Sequence, residues 1–139
     1  MQCRQSRKER HVSKKIEVMI LDDEPIVCER VKAFLDKKGI STETYTDSQS
    51  ALNRIKEKTF DVIVTDIKME GATGMDVLFT VKKDNHRSEV IIITGYSPFE
   101  SFREAEAVGV FDYIMKPFKM DDLYHRIKKA AKKAQKERQ

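Results

Sequence analysis

The chain has no apolar run near the roughly 18 residues that a membrane-spanning helix needs. It has only two cysteines, Cys3 and Cys28, which make neither a disulfide framework nor a metal-ligand spacing. Cys28 falls in a predicted helix and reads as a small core residue. A reducing cytoplasm is the simplest setting for such cysteine usage. The first segment, MQCRQSRKERHVSKK, is basic but lacks the apolar stretch of a secretory signal. Internal repeats are absent, and the Lys/Ala-rich C-terminus is the one low-complexity stretch. No composition shift marks a second domain.

What is present suits one folded unit. The 139 residues can bury a proper core, and 40% are apolar, which favours a globule over disorder. The net charge of +4 hides a strong asymmetry. Residues 1–15 hold six Lys/Arg and one Glu, and residues 119–139 hold eight Lys/Arg against three acids. Each end is thus +5, which leaves the body, 16–118, at −6. Residues 1–15 read as a basic, flexible extension ahead of a domain spanning 16–139. The ends suit solvated surface, or a contact with nucleic acid or another acidic partner. Tyr124 is the single aromatic residue among their charges, and so little aromatic content counts against the contact.

Five short apolar runs alternate with five helical patterns. The runs are Ile16–Leu21, Ser41–Thr46, Phe60–Thr65, Glu89–Ile93 and Val110–Met115. The first helix opens at Pro25, turns Val27, Val31, Phe34 and Leu35 to one side, and stops at Gly39. Asp47 or Ser48 caps the second, whose apolar side is Ala51, Leu52 and Ile55. Gly71 and Gly74 bracket a loop before the third, which carries Met75, Leu78, Phe79 and Val81. Ser97 and Pro98 open the fourth, which ends at Gly109. The fifth starts near Met120 and turns Leu123, Ile127, Ala130, Ala131 and Ala134 inward. This alternation predicts an α/β fold: a doubly wound, flavodoxin-like parallel sheet of five strands with five helices. The expected strand order is 2-1-3-4-5, with a ligand crevice between strands 1 and 3.

Asp22, Asp23 and Asp66 end those two strands, and Thr94 and Lys116 end two later ones. Each alone is unremarkable. Asp is common in turns and caps, Thr at strand ends, and Lys on surfaces. Together they fall on one sheet edge. Carboxylates about 5 Å apart repel by roughly 3 kcal/mol per pair at an effective dielectric of about 20. Such a cluster takes up protons or binds a cation. All-oxygen ligands suit Mg²⁺ or Mn²⁺, and the absence of His from these loops argues against zinc. Asp66 precedes a Gly-containing loop that can open it to the crevice, and is the candidate nucleophile for an acyl phosphate. Thr94 can donate to one phosphoryl oxygen and Lys116 can supply charge to another. Lys116-Pro117, directly after a strand, is a candidate cis peptide. Tyr113 reads as a half-buried aromatic on an outward-looking strand face, with a wet hydroxyl.

In order along the chain, ILDDEP, VTDIKMEGATG, IIITGYS and DYIMKPF resemble the response-regulator receiver domain of two-component signal transduction. The resemblance covers Ile16 to about Ala134. It implies that Asp66 accepts a phosphoryl group from a sensor histidine kinase. Asp23 would bind Mg²⁺ directly, Asp22 mainly through water, and the backbone carbonyl of Lys68 would complete the protein ligands. Thr94 and Lys116 would hold phosphoryl oxygens, and Thr94 and Tyr113 would form a switch pair. The domain would promote its own phosphorylation and dephosphorylation rather than act as an enzyme on other substrates. Its partners would be the kinase, a downstream output domain or target protein, and a second copy on phosphorylation. Neither a membrane nor direct DNA binding is implied.

Two positions depart from the family pattern. Glu70 stands where Pro is common, and Lys68 lies at a position that affects dephosphorylation. ITGYSPFESFREAEAVGVFDYIMKPF also resembles, more weakly, receivers joined to transcription-activating ATPase domains. Three other readings compete. An aspartyl-phosphate phosphatase would want a second Asp where Lys68 stands. A flavin binder would want a Ser/Thr/Gly-rich loop where DDEP stands. A receiver reduced to a binding module would have lost pocket residues that are all retained here.

Overall fold

The computed structural model describes residues 15–67, 73–84, 87–95 and 99–137. Expectations for residues 1–14, Lys68, Glu70, Gly71, Ser97 and Pro98 lie outside those residues. The element order is β1 (Glu17–Leu21), α1 (Pro25–Lys37), β2 (Ser41–Tyr45), α2 (Ser48–Glu57), β3 (Val62–Asp66), α3 (Gly74–Asp84), β4 (Glu89–Thr94), α4 (Phe99–Val108), β5 (Asp112–Met115) and α5 (Met120–Glu137). All neighbouring strands pair in parallel, in the order β2-β1-β3-β4-β5. The expected topology therefore holds. Strand bounds shift by one or two residues, and Phe60, Val110 and Phe111 precede their strands.

Side-chain alternation along the strands divides the core in two. Val18, Ile20, Val62, Val64, Ile91 and Ile93 face α1 and α5. Met19, Leu21, Ile63, Val90 and Ile92 face α2, α3 and α4. Each large side chain buried this way contributes about 1.5–3 kcal/mol. With both faces covered, β3 and β4 are buried along their whole length.

Local signals fix the helix ends. Pro25 occupies the first turn of α1. Gly39, at φ +80°, turns the chain out of that helix, and the Ile40 N–H bonds back to the Leu35 carbonyl at 3.1 Å. Asp47 caps α2 by accepting the Ser50 N–H at 2.8 Å. Thr73 and Asp76 cap α3 reciprocally: Asp76 accepts the Thr73 N–H at 2.8 Å, and the Thr73 hydroxyl accepts the Asp76 N–H at 3.3 Å.

Of the apolar residues read on α3, Leu78 and Val81 are buried, but Phe79 is not. Gly74, Val77, Leu78 and Val81 face inward, while Phe79 is 54% exposed and Met75 is half-buried. Both sets repeat at helical spacing, so periodicity does not choose between them. Close approach does. A Cβ on Gly74 would collide with the Asp66 carbonyl oxygen and stand 2.7 Å from Ile67 Cα. Only glycine lets α3 lie this near the end of β3.

Candidate functional site

The site forms where β1, β3, β4 and β5 end. Leu21 pairs with Thr65 across β1 and β3, so the following residues, Asp22 and Asp66, stand side by side. Asp22 is fully buried, Asp66 nearly so, and Asp23 is exposed. Their ligand oxygens all lie within 4.8 Å of one another. Two carboxylates line the floor and a third stands at the rim.

Lys116 joins this cluster from the end of β5. Its Nζ donates to Asp22 Oδ2 at 2.9 Å, Asp66 Oδ2 at 3.0 Å and Glu24 Oε1 at 3.2 Å. Burial alone would lower the pKa of this ammonium. The hydrogen bonds it donates to Asp22 and Asp66 more than offset that and hold it above its ordinary value. For Asp22 the balance tips the other way. Burial pushes its carboxyl up, against the lowering effect of Lys116 and of the Glu24 N–H. Charge is thus held in a place that water would otherwise stabilise. A cation beside Asp22 relieves the same cost.

Backbone geometry holds the carboxylates in place. Asp22 Oδ1 accepts the Glu24 N–H at 2.9 Å, across the turn that leads into α1. Its own N–H donates to the Tyr45 carbonyl at 3.1 Å. Behind it, the Cys28 thiol donates to the Asp22 carbonyl at 3.5 Å, and burial pushes that thiol's pKa up. Cys28 is a buried packing residue, as its helical setting implied. The peptide Lys116-Pro117 is cis.

Thr94 is fully buried at the end of β4, and the Lys116 N–H donates to its carbonyl at 2.7 Å. Tyr113 is half-buried, but its hydroxyl oxygen is shielded from solvent, contrary to the wet hydroxyl expected. The ring packs with the α2–α4 side of the core and meets Phe102 of α4 edge-on, with centroids 5.4 Å apart. The outward-looking face is covered by α4 at this point. The preference of strand aromatics for cover outweighs the hydroxyl's preference for water.

The structure brings together Asp22, Asp23, Asp66 and Lys116. The backbone carbonyl of Lys68 lies outside the described residues. Glu24 is a participant that motif reading passed over. Its signal was present, as a third acid directly after Asp22 and Asp23 and just ahead of the helix-starting Pro25.

Residues 18–128 match the family model for the response regulator receiver domain. The chain is 31% identical over 120 residues to the heme response regulator HssR of Staphylococcus epidermidis, covering 86% of this chain and 53% of that protein. It therefore spans about half the length of this curated relative. A response regulator receiver domain protein (CheY-like) from Methanospirillum hungatei superposes with a TM-score of 0.85 at 27% identity, covering 88% of this chain and 98% of that one. The response regulator TrrA of Thermotoga maritima, solved in complex with Mg(2+)-BeF, superposes with a TM-score of 0.75 at 28% identity, covering 83% and 98%. Among the described residues, no helix is long and apolar enough to cross a membrane.

Proposed function

The chain belongs to the response regulator receiver domain family, and from that premise we propose that it is a phosphorylation-controlled signalling switch with Asp66 as the phospho-acceptor. One observation carries the reading: the Lys116 ammonium bridges Asp22 and Asp66 at 2.9 and 3.0 Å inside a cluster of three carboxylates. An ordinary surface lysine has no reason to be drawn there. A site that must accept a dianionic group has one.

The donor is a histidine kinase carrying a phosphohistidine. A carboxylate oxygen of Asp66 forms the new P–O bond, the P–N bond breaks, and its electron pair stays on the imidazole nitrogen. Lys116 and Thr94 take phosphoryl oxygens. Lys116 must exchange part of its carboxylate contacts for the new group. The domain promotes its own phosphorylation and dephosphorylation and needs no other substrate.

The donor set fits Mg²⁺, with Mn²⁺ as a substitute. All donors are hard oxygens, two of the carboxylates are buried, and the third is reachable from solvent. Asp23 and Asp66 would ligate directly, Asp22 mainly through water, and the Lys68 carbonyl would complete the protein ligands. When bound, the ion supplies positive charge opposite the phosphoryl oxygens.

Thr94 and Tyr113 form the switch. As the Thr94 hydroxyl turns to the phosphoryl group, the Tyr113 ring and its neighbour Phe102 respond, and α4 and β5 change as an output surface. The domain occupies 16–139, with residues 1–15 as an extension. Its partners are the kinase, a downstream output domain or target such as that of a transcriptional regulator, and a second phosphorylated copy. The cytoplasm is its place of action.

Acetyl phosphate with Mg²⁺ tests this. Intact-mass measurement should find one acid-stable, base-labile phosphoryl group in the native chain and none in Asp66→Asn. The same modification in Asp66→Asn would overturn the assignment.

A further inference from the structure

The basic residues of α5 do more than decorate a helix. Lys128, Lys129, Lys132 and Lys136 are exposed on the side of α5 opposite Leu123, Ile127, Ala130 and Ala134. They run for about 12 Å along the helix axis. Lys38, at the end of α1, joins them through an aromatic residue. Lys38 Nζ and Lys128 Nζ each lie 5.2 Å from the centroid of the Tyr124 ring, and Tyr124 meets Phe34 edge-on at 6.3 Å. Two ammonium groups from different helices are thus gathered on one ring. Among the described residues, no carboxylate lies within ion-pair distance of these five lysines. The nearby acids are engaged elsewhere: Asp36 with Lys32, and Asp122 with Arg126.

A shared carboxylate also ties the first strand to this helix. Asp61 Oδ2 accepts the Glu17 N–H at 2.8 Å and the Gln135 side-chain amide at 3.3 Å. The start of β1 and the end of α5 are therefore neighbours. This edge is opposite the one that carries Asp66.

We propose that the α1–α5 face, through Lys38, Lys128, Lys129, Lys132 and Lys136, binds the phosphate backbone of double-stranded DNA without reading bases. Two aromatic residues stand among these charges: Phe34 of α1, and Tyr124 within the basic stretch itself. The chemistry favours DNA over a membrane. An interfacial helix turns its aliphatic residues outward, whereas Leu123, Ile127, Ala130, Ala131 and Ala134 of α5 are inside. It also favours backbone contact over base recognition. The five cations are lysines, point charges on flexible stems without the bidentate fork of a guanidinium. The regular row of charges matches a repeating polyanion better than a folded acidic surface.

The test uses the full chain and a fluorescein-labelled duplex of about 20 base pairs, followed by anisotropy. Five neutralised phosphates give a log–log salt slope of about −4.5, a loss of about 500-fold between roughly 50 and 200 mM salt. Lys128→Gln, Lys132→Gln and Lys136→Gln combined should reduce the slope to about −2. Lys56→Gln with Lys83→Gln should leave it near the native value. These are all exposed positions, and circular dichroism verifies that the variants fold. Absence of binding at the lowest salt, or native binding by the triple variant, would overturn the proposal. Anionic phosphatidylserine vesicles or polyglutamate that displace the duplex at equal charge concentration would also overturn it.

Discussion

Gly74 lies directly against the main chain of Asp66, leaving no room for a side chain between α3 and the end of β3. The Gly74 N–H donates to the Ile67 carbonyl at 3.0 Å, so the contact is bonded as well as close. The position of the proposed acceptor thus depends on a residue with no side chain.

Gly74→Ala is therefore expected to destabilise the fold by about 1–3 kcal/mol through overpacking, although alanine is the better helix former by about 1 kcal/mol. Gly95→Ala is the control. Its added methyl meets nothing nearer than Lys116 Cβ at 3.9 Å. Urea midpoints measure both, and equal midpoints would contradict the close-approach argument.

Lys116→Met removes the positive charge from the carboxylate cluster. Mg²⁺ affinity should rise about 3- to 10-fold, because the cation then meets uncompensated carboxylates. Asp23→Asn should lower it about tenfold or more. Calorimetric titration separates the two. A weaker affinity in Lys116→Met would mean that the lysine supports metal binding rather than competing with it.

Thr94→Ala should leave phosphoryl uptake at Asp66 measurable but disconnect it from Tyr113. In the native protein, beryllofluoride with Mg²⁺ should shift the ring resonances of Tyr113 and Phe102. In Thr94→Ala, those shifts should be mostly lost while Asp66 is still modified. Full native shifts in the variant would remove Thr94 from the switch.

Glu43 gives a pH prediction far from the site. Arg54 bonds both its oxygens, at 2.9 and 3.0 Å, and the Tyr45 hydroxyl donates at 2.8 Å. Arg54 holds its pKa at about 2, against an ordinary 4.5, with burial opposing the shift and Tyr45 assisting. A depressed carboxyl pKa stabilises the fold above the unfolded value, and that stability is lost as pH falls from about 4.5 to 2. After allowance for solvent screening, the loss is about 1–2 kcal/mol. Glu43→Gln should flatten this window in acid unfolding curves. An unchanged acid limb would mean that the pair contributes nothing net.

Much of the site could be read from the chain because strand ends in a parallel sheet share an edge. Once Asp22, Asp66, Thr94 and Lys116 were assigned to strand ends, their convergence followed from topology. Three features were hidden for physical reasons. The exposure of Phe79 is hidden because two overlapping helical stripes fit the same pattern, and Gly74 chooses between them through a backbone contact. The hydroxyl of Tyr113 was expected in water because a strand's alternation does not reveal which helix will cover it. Glu24 carries no motif signal of its own beyond being a third acid after Asp22 and Asp23, and its contact with Lys116 spans 92 positions of sequence.

The sheet separates two packed layers that share only its strands. Tyr113 and Phe102 belong to the layer with α2, α3 and α4, whereas the lysine face rides on α1 and α5. A rearrangement around Tyr113 can then spread sideways through one layer while the other stays mechanically quiet. If DNA grips the quiet layer, the domain can stay moored through repeated cycles of activation.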